Sequence, residues 1–352
     1  MKNITYKNWQ MILSRAICLF SILVIMSACV EPSTTKVVKP VVQKSPVTDN
    51  SVKESLLIIR LDGKNFEEVV SGLSEELSEE LVLHELIVNK NTSESEIAQK
   101  MREVSPKLVV LMDNISVFLY TNYQKSLPDT TNATPSVAVM ASFMDIAIKG
   151  LKNATGIFYE VPLVTSVVNL RAILATGTFA KIGVVHRNFM LPAINFNRKY
   201  CAKENIDLIT YLLADQDATV TKLNDALSQL DKKVDALWVP NDNKLINAQM
   251  LKSIWIPFAK EFRKPIITGV EILVEPKFQF GTFAVIPDPV QLGIQAAEIV
   301  FDAMDNDWEV EAGEVQPPRS VYKIINLEQA ERLFSVNKEK LQNMVDKILT
   351  EL

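Results

Sequence analysis

The chain of 352 residues carries 37 Lys and Arg against 42 Asp and Glu, a net charge of −5, with 48% hydrophobic residues. That mild acidity argues against a nucleic-acid partner, which wants a basic face, and only three cysteines and two histidines are present. A thiolate or imidazole metal cluster is therefore not expected, and neither is a cofactor.

The first 28 residues hold Lys2, Lys7 and Arg15 and no acidic residue, followed by the apolar block Ala16 to Met26. Eleven apolar residues fall short of the ~20 that cross a bilayer, so the segment reads as an export signal with a basic start and an apolar middle. Met26-Ser27-Ala28-Cys29 resembles the lipobox of bacterial lipoproteins, with Met26 where that family prefers Leu. The resemblance implies cleavage before Cys29 and acylation of its thiol and new N-terminus. Two or three acyl chains hold a protein firmly, because each buried CH₂ is worth ~0.8 kcal/mol. Residues 29–54 contain Pro32, Pro40 and Pro46 and no aromatic, a composition unable to bury enough apolar area to fold, and are expected to form a disordered tether. Cys201 then remains as the one cysteine of the folded part. It is read as a small buried apolar residue on a helix, with no disulfide.

Along the remaining chain, short β-branched runs alternate with amphipathic stretches. Strands are expected at 55–61, 81–88, 107–112, 135–141, 181–186, 206–213, 234–239, 264–270, 281–286 and 320–325. Helical periodicity occupies 65–80, 93–104, 218–233 and 289–305. Continuous apolar strands separated by helices imply parallel sheets covered on both faces. Ten such units exceed what one sheet usually takes, so the expected fold class is α/β with two doubly wound parallel-sheet lobes. The chain is expected to break near 153–162, where Gly156 and Pro162 punctuate it. No repeat of fixed period is visible.

The segments KKVDALWVPNDNKLINAQ (232–249), KPIITGVEILVE (264–275), IPDPVQLGIQAAEIVFDAM (286–304) and VYKIINLEQAERL (321–333) resemble an ABC-transporter substrate-binding family. NATGIFYEVPL (153–163) and FAKIGVVHRNF (179–189) add to that likeness, which spans roughly residues 55 to 335. The resemblance implies the type I periplasmic-binding-protein fold, with lobe 1 formed by 55–156 plus about 284–320 and lobe 2 by 157–283 plus about 321–352. Members with known ligands bind aromatic amino acids. Two places differ from the family pattern: MDNISVF (112–118) stands where small residues usually follow the third strand, and RLDGKNFEE (60–68) where Glu-His-Pro is usual.

In open α/β sheets, ligands sit beyond the carboxyl ends of the strands. The strand-end residues expected there are Asn114, Ser142, Phe143, Asp145, Phe158, Tyr159, Asn241, Asn243 and Glu271, with Asp113, Glu160 and Arg187 beside them. Glu271, Asp145 or Glu160 can pair an ammonium, Ser142 and Asn114 with helix ends can take a carboxylate, and Phe143, Phe158 and Tyr159 can stack on a ring. Asp113, Asn114, Asn241 and Asn243 serve equally well as helix caps. Phe143 and Phe158 are more often packing residues than ligand shelves, and Arg187 serves equally as a solvated loop cation or a carboxylate clamp.

Enzymatic motifs are missing: no G-x-S-x-G, H-E-x-x-H, G-x-G-x-x-G or P-loop lysine pattern occurs. The expected function is a lipid-anchored, monomeric solute-binding protein of an ABC importer, taking a small solute such as an aromatic or branched amino acid in the cleft between the lobes, with no catalytic activity. Its partners would be a small solute, membrane lipid through acylated Cys29, and a permease. The location would be the cell envelope, on the periplasmic face of an outer or inner membrane or the outer face of a single one. The alternative is a sensor or scaffold lipoprotein of the same fold that signals to a membrane receptor or envelope assembly.

Overall fold

Burial on both faces decides how these strands assemble. In the computed structural model, which describes residues 53–128, 133–174 and 179–351, strands β1 (Ser55–Arg60), β3 (Leu108–Met112), β4 (Ser136–Val139) and β5 (Ala154–Ile157) are buried almost throughout. They pair in parallel with β2 (Val82–Ile87) and the two-residue β11 (Val315–Gln316) in the order β11-β5-β4-β3-β1-β2. Leu57 stands opposite both His84 and Val109, so β1 is central.

The second sheet runs β13-β12-β10-β9-β8-β6-β7. It comprises β6 (Lys181–Arg187), β7 (Asp207–Leu213), β8 (Ala236–Val239), β9 (Ile266–Thr268), β10 (Phe283–Pro287), β12 (Val321–Asn326) and β13 (Lys347–Leu349). Strands β6 to β10 are parallel, and β12 joins antiparallel to β10. Both sheets thus share the order 2-1-3-4-5 over their first five strands, a doubly wound pattern whose switch point lies beside the first strand. All ten expected strands form. Three more form, β11 and β13 at sheet edges and β5 between β11 and β4.

The chain passes between the sheets at residues 158–162, at Asp288 and at 317–320. Strand β10 belongs to the second sheet, so residues 284–287 lie with the second half and not with the first. The return comes only at Asp288, because β10 is held by β9 on one side and β12 on the other. The signal peptide, Cys29 and nearly all of the tether lie outside the described residues.

Helices α1 (Lys64–Leu77), α2 (Glu94–Val104) and α3 (Asn114–Ser126) cover the first sheet, and α4 (Leu163–Ile173), α5 (Leu191–Lys203) and α6 (Val220–Asp231) the second. Helix α2 opens with a reciprocal capping box between Ser93 and Glu96. Cys201 is buried on α5, and burial pushes its thiol up to about 11, which leaves it inert. No helix among the described residues is long and apolar enough to cross a membrane.

Helix α7 (Pro289–Asp305) returns from the second sheet and packs on α1, sharing a core with Leu56, Ile58, Leu73, Leu292 and Val300. Two glycines permit the contact. A Cβ on Gly72 would lie 2.1 Å from the Val290 carbonyl oxygen, and one on Gly293 2.1 Å from that of Val69. Backbone meets backbone there, so neither side can give way. Gly293→Ala is expected to destabilise the protein by about 3 kcal/mol, the upper range for forcing a methyl into a packed contact. Urea unfolding measures this, and an unchanged midpoint would refute the role given to the contact.

Candidate solute-binding crevice

Parallel strands within each sheet direct all their carboxyl ends to one side, and there the two halves meet. A cavity of about 660 Å³ lies between them, within the usual range of small-molecule sites. Gly63, Lys64, Asn65, Phe66 and Glu68 wall it from the start of α1, and Glu271, Ile272, Glu275, Tyr322 and Lys347 from the second half. The crossover residues Asp288, Pro289 and Val290 close it.

Glu271 leads the single turn Glu271–Val274 after β9. Its carboxylate accepts from Lys347 Nζ at 2.5 Å, a lysine contributed by strand β13. Next to it stands Tyr159, whose hydroxyl pKa is pushed up by burial and then by the carboxylates of Glu160 and Glu271.

Glu160 accepts a hydrogen bond from the Phe143 N–H at 2.8 Å. Part of its side chain stays accessible, yet enough protein surrounds the carboxyl that desolvation raises its pKa from 4.5 to about 7, with Asp145 adding to the rise. Phe143 itself adopts a left-handed backbone, φ 54°. Its ring meets that of Phe189 edge to face at 4.9 Å, which joins the end of β4 to the end of β6 across the crevice.

Asn114 and Ser142 are brought together. The Asn114 side-chain amide donates to the Ser142 carbonyl at 3.0 Å and accepts from its N–H at 2.9 Å, tying the β3 and β4 loops. Asp113, at φ 85°, caps α3 by accepting from the Ile115 and Ser116 amides at 2.8 and 2.9 Å. Asn241 follows β8 and does not cap. Its Oδ1 is buried without a partner and lies 3.4 Å from where a side chain on Gly269 would begin.

Other expected residues take different parts. Phe158 packs into the first-half core and donates its N–H to Gln316, because β11 extends the sheet past it. Asp145 is exposed on the single turn Met144–Ala147. Asn243 is exposed, with its carbonyl accepting from Asn247. Arg187 is neither solvated nor open to a ligand. Two of its nitrogens donate to Asp242 at 2.7 Å each, a third to Asp215 at 2.8 Å, and its guanidinium lies over Phe189 at 4.7 Å. Asp242 is 1% exposed, so this is a structural pair of the bidentate kind. Phe189, Tyr322, Lys347 and the start of α1 escaped the sequence reading. Phe189 alone carried a signal, as an aromatic just beyond a strand end.

No group of acidic, histidine or cysteine residues able to hold a metal occurs among the described residues.

Glu160 makes stability depend on pH. Its carboxyl holds a proton more tightly folded than unfolded, so the contribution is full below pH 4.5 and is lost as pH rises through about 7. Melting of the wild type should therefore weaken across that window relative to Glu160→Gln. Parallel curves for the two proteins would show that Glu160 is not so perturbed.

No protein-family model matches the chain, and no curated protein matches it in sequence. Solved structures do match. The ligand-free, open form of a substrate-binding protein with adhesive properties from Clostridium difficile superposes with a TM-score of 0.60 at 16% identity, covering 85% of this chain and all of its own. An ABC domain in complex with L-Trp from Streptococcus pneumoniae gives 0.57 at 16% identity, again over 85% of this chain and all of that one. A conserved domain protein from Vibrio cholerae gives 0.54 at 17%, over 84% of this chain and the whole of its own. At such identities the likeness is one of architecture, and it agrees with the strand order and the crossings: the chain has the fold of the type I periplasmic-binding proteins.

Proposed function

We propose that the protein is an extracytoplasmic solute-binding protein, anchored to a membrane through lipid on Cys29 and serving an ABC importer. The observation that carries this reading is the cavity of about 660 Å³ walled by both halves at the carboxyl ends of two doubly wound sheets. Ligands of open α/β sheets gather at such ends. Two structures of the same fold support it, one holding L-Trp and one an open substrate-binding protein. Binding energy would go into closing the halves about the crossings at 158–162, 288 and 317–320, and the closed form is what a permease would meet. The two halves are the lobes of that motion, and no catalysis is assigned to them.

One observation favours the sensor or scaffold alternative. Asp113 fills the α3 N-terminus, where the resembling family carries small residues and open amides.

The full chain, purified in mild detergent, should gain thermal stability with a member of a broad library of amino acids, amines and sugars. A ligand at about 100 times its Kd adds ~2.7 kcal/mol. A flat response across the library would overturn the solute-binding reading. The anchor is tested separately: Cys29→Ser should abolish labelling by fatty acid in cells, and retained label would exclude that attachment.

A further inference from the structure

Several positive elements at or near the crevice already hold a carboxylate of the chain itself, the N-terminus of α1 excepted. Asp113 occupies the first amides of α3 at 2.8 and 2.9 Å. Asp288 accepts from the Gln291 amide at the start of α7 and lines the cavity. The N-terminus of α1 has no side-chain cap, but Glu67 lies in its first turn and Glu68 faces the cavity. Asp242 and Asp215 hold three nitrogens of Arg187. Glu160 takes the Phe143 N–H. The two lysines at the cavity are engaged as well, Lys347 with Glu271 at 2.5 Å and Lys64 with Glu68 at 3.5 Å.

What remains is acceptor capacity. A carboxylate offers two oxygens and about four lone-pair sites, and Glu271 at the cavity wall shows one oxygen engaged. A ligand carboxylate brought here would meet four lining carboxylates, Glu68, Glu271, Glu275 and Asp288, against those two paired lysines. An ammonium would find the reverse.

We propose that the crevice takes a cationic solute, an amine with an apolar or aromatic body and no carboxylate, because four carboxylates line the cavity against two lysines that are each already paired. The inference rests on the solute-binding reading. The ammonium sits beside Glu271, with Glu68, Glu275 and Asp288 around it, and the body lies toward Phe66, Ile272 and Val290.

Calorimetry on the full chain in detergent separates the classes with matched pairs: tryptamine and tryptophan, tyramine and tyrosine, phenethylamine and phenylalanine, isoamylamine and leucine. At least one amine should bind about tenfold more tightly than its amino acid, the value of one charge-assisted hydrogen bond. Glu271→Gln, nearly the same in shape, should weaken that amine by a similar factor while retaining the wild-type circular dichroism. Glu68→Gln is the second variant if the first misfolds. An amino acid bound as tightly as its amine overturns the proposal and leaves solute binding intact. Absence of heat with all eight probes, together with a flat library response, removes both.

Discussion

The structure depends on the burial of both faces of its parallel sheets. Strands such as β1, β3 and β10, apolar at nearly every position, have no solvated face on which to carry polar groups. Polarity is displaced to the strand ends, and parallel pairing gathers one set of ends along a single edge of each sheet. Helices fill the faces, loops fill the ends, and the chain's chemistry concentrates where the two edges confront each other. Asp113, Ser142, Glu160, Arg187, Asn241 and Glu271 all stand within a few residues of a strand terminus for that one reason.

The same constraint explains what the sequence made legible. Long apolar runs announce themselves, and the strands from β1 to β12 with four or more such residues are read directly. Segments Ala154–Ile157, Val315–Gln316 and Lys347–Leu349 are strands by neighbour and not by pattern. The first contains Thr and Gly, which read as punctuation; the other two are too short for any period to show. Two of them close sheet edges and Ala154–Ile157 lies one strand in from an edge, and only the assembled sheet reveals them. Likewise the sequence placed polar residues at the crevice but not their partners. Asp242 lies 55 residues from Arg187 and Lys347 lies 76 from Glu271, separations over which no local rule operates.

Those partnerships change what the residues are for. Arg187 resembles an anion clamp in isolation, yet once bound to Asp242 it stiffens the loops after β6, β7 and β8 and offers its plane to Phe189. Phe189 then meets Phe143 from the other half. An ion pair inside one half thus supports an aromatic contact between halves, and the Phe143 amide passes the connection on to Glu160 in the first crossing segment.

The glycine contact between α1 and α7 bears on movement. Helix α7 begins one residue after the crossing at Asp288 and is pressed against α1 at once, backbone on backbone at Gly72 and Gly293. Repulsion at such range is steep, so the pair has no slack in which to slide. At this crossing, one of three, a swing of one half against the other would be taken up as torsion in the short stretch before Pro289, whose φ is itself fixed by its ring. In the proposed closure the helix pair would act as a bearing, fixed in the first half beside the crossing, and would set where the cavity wall formed by Asp288 and Val290 stands as the second half turns.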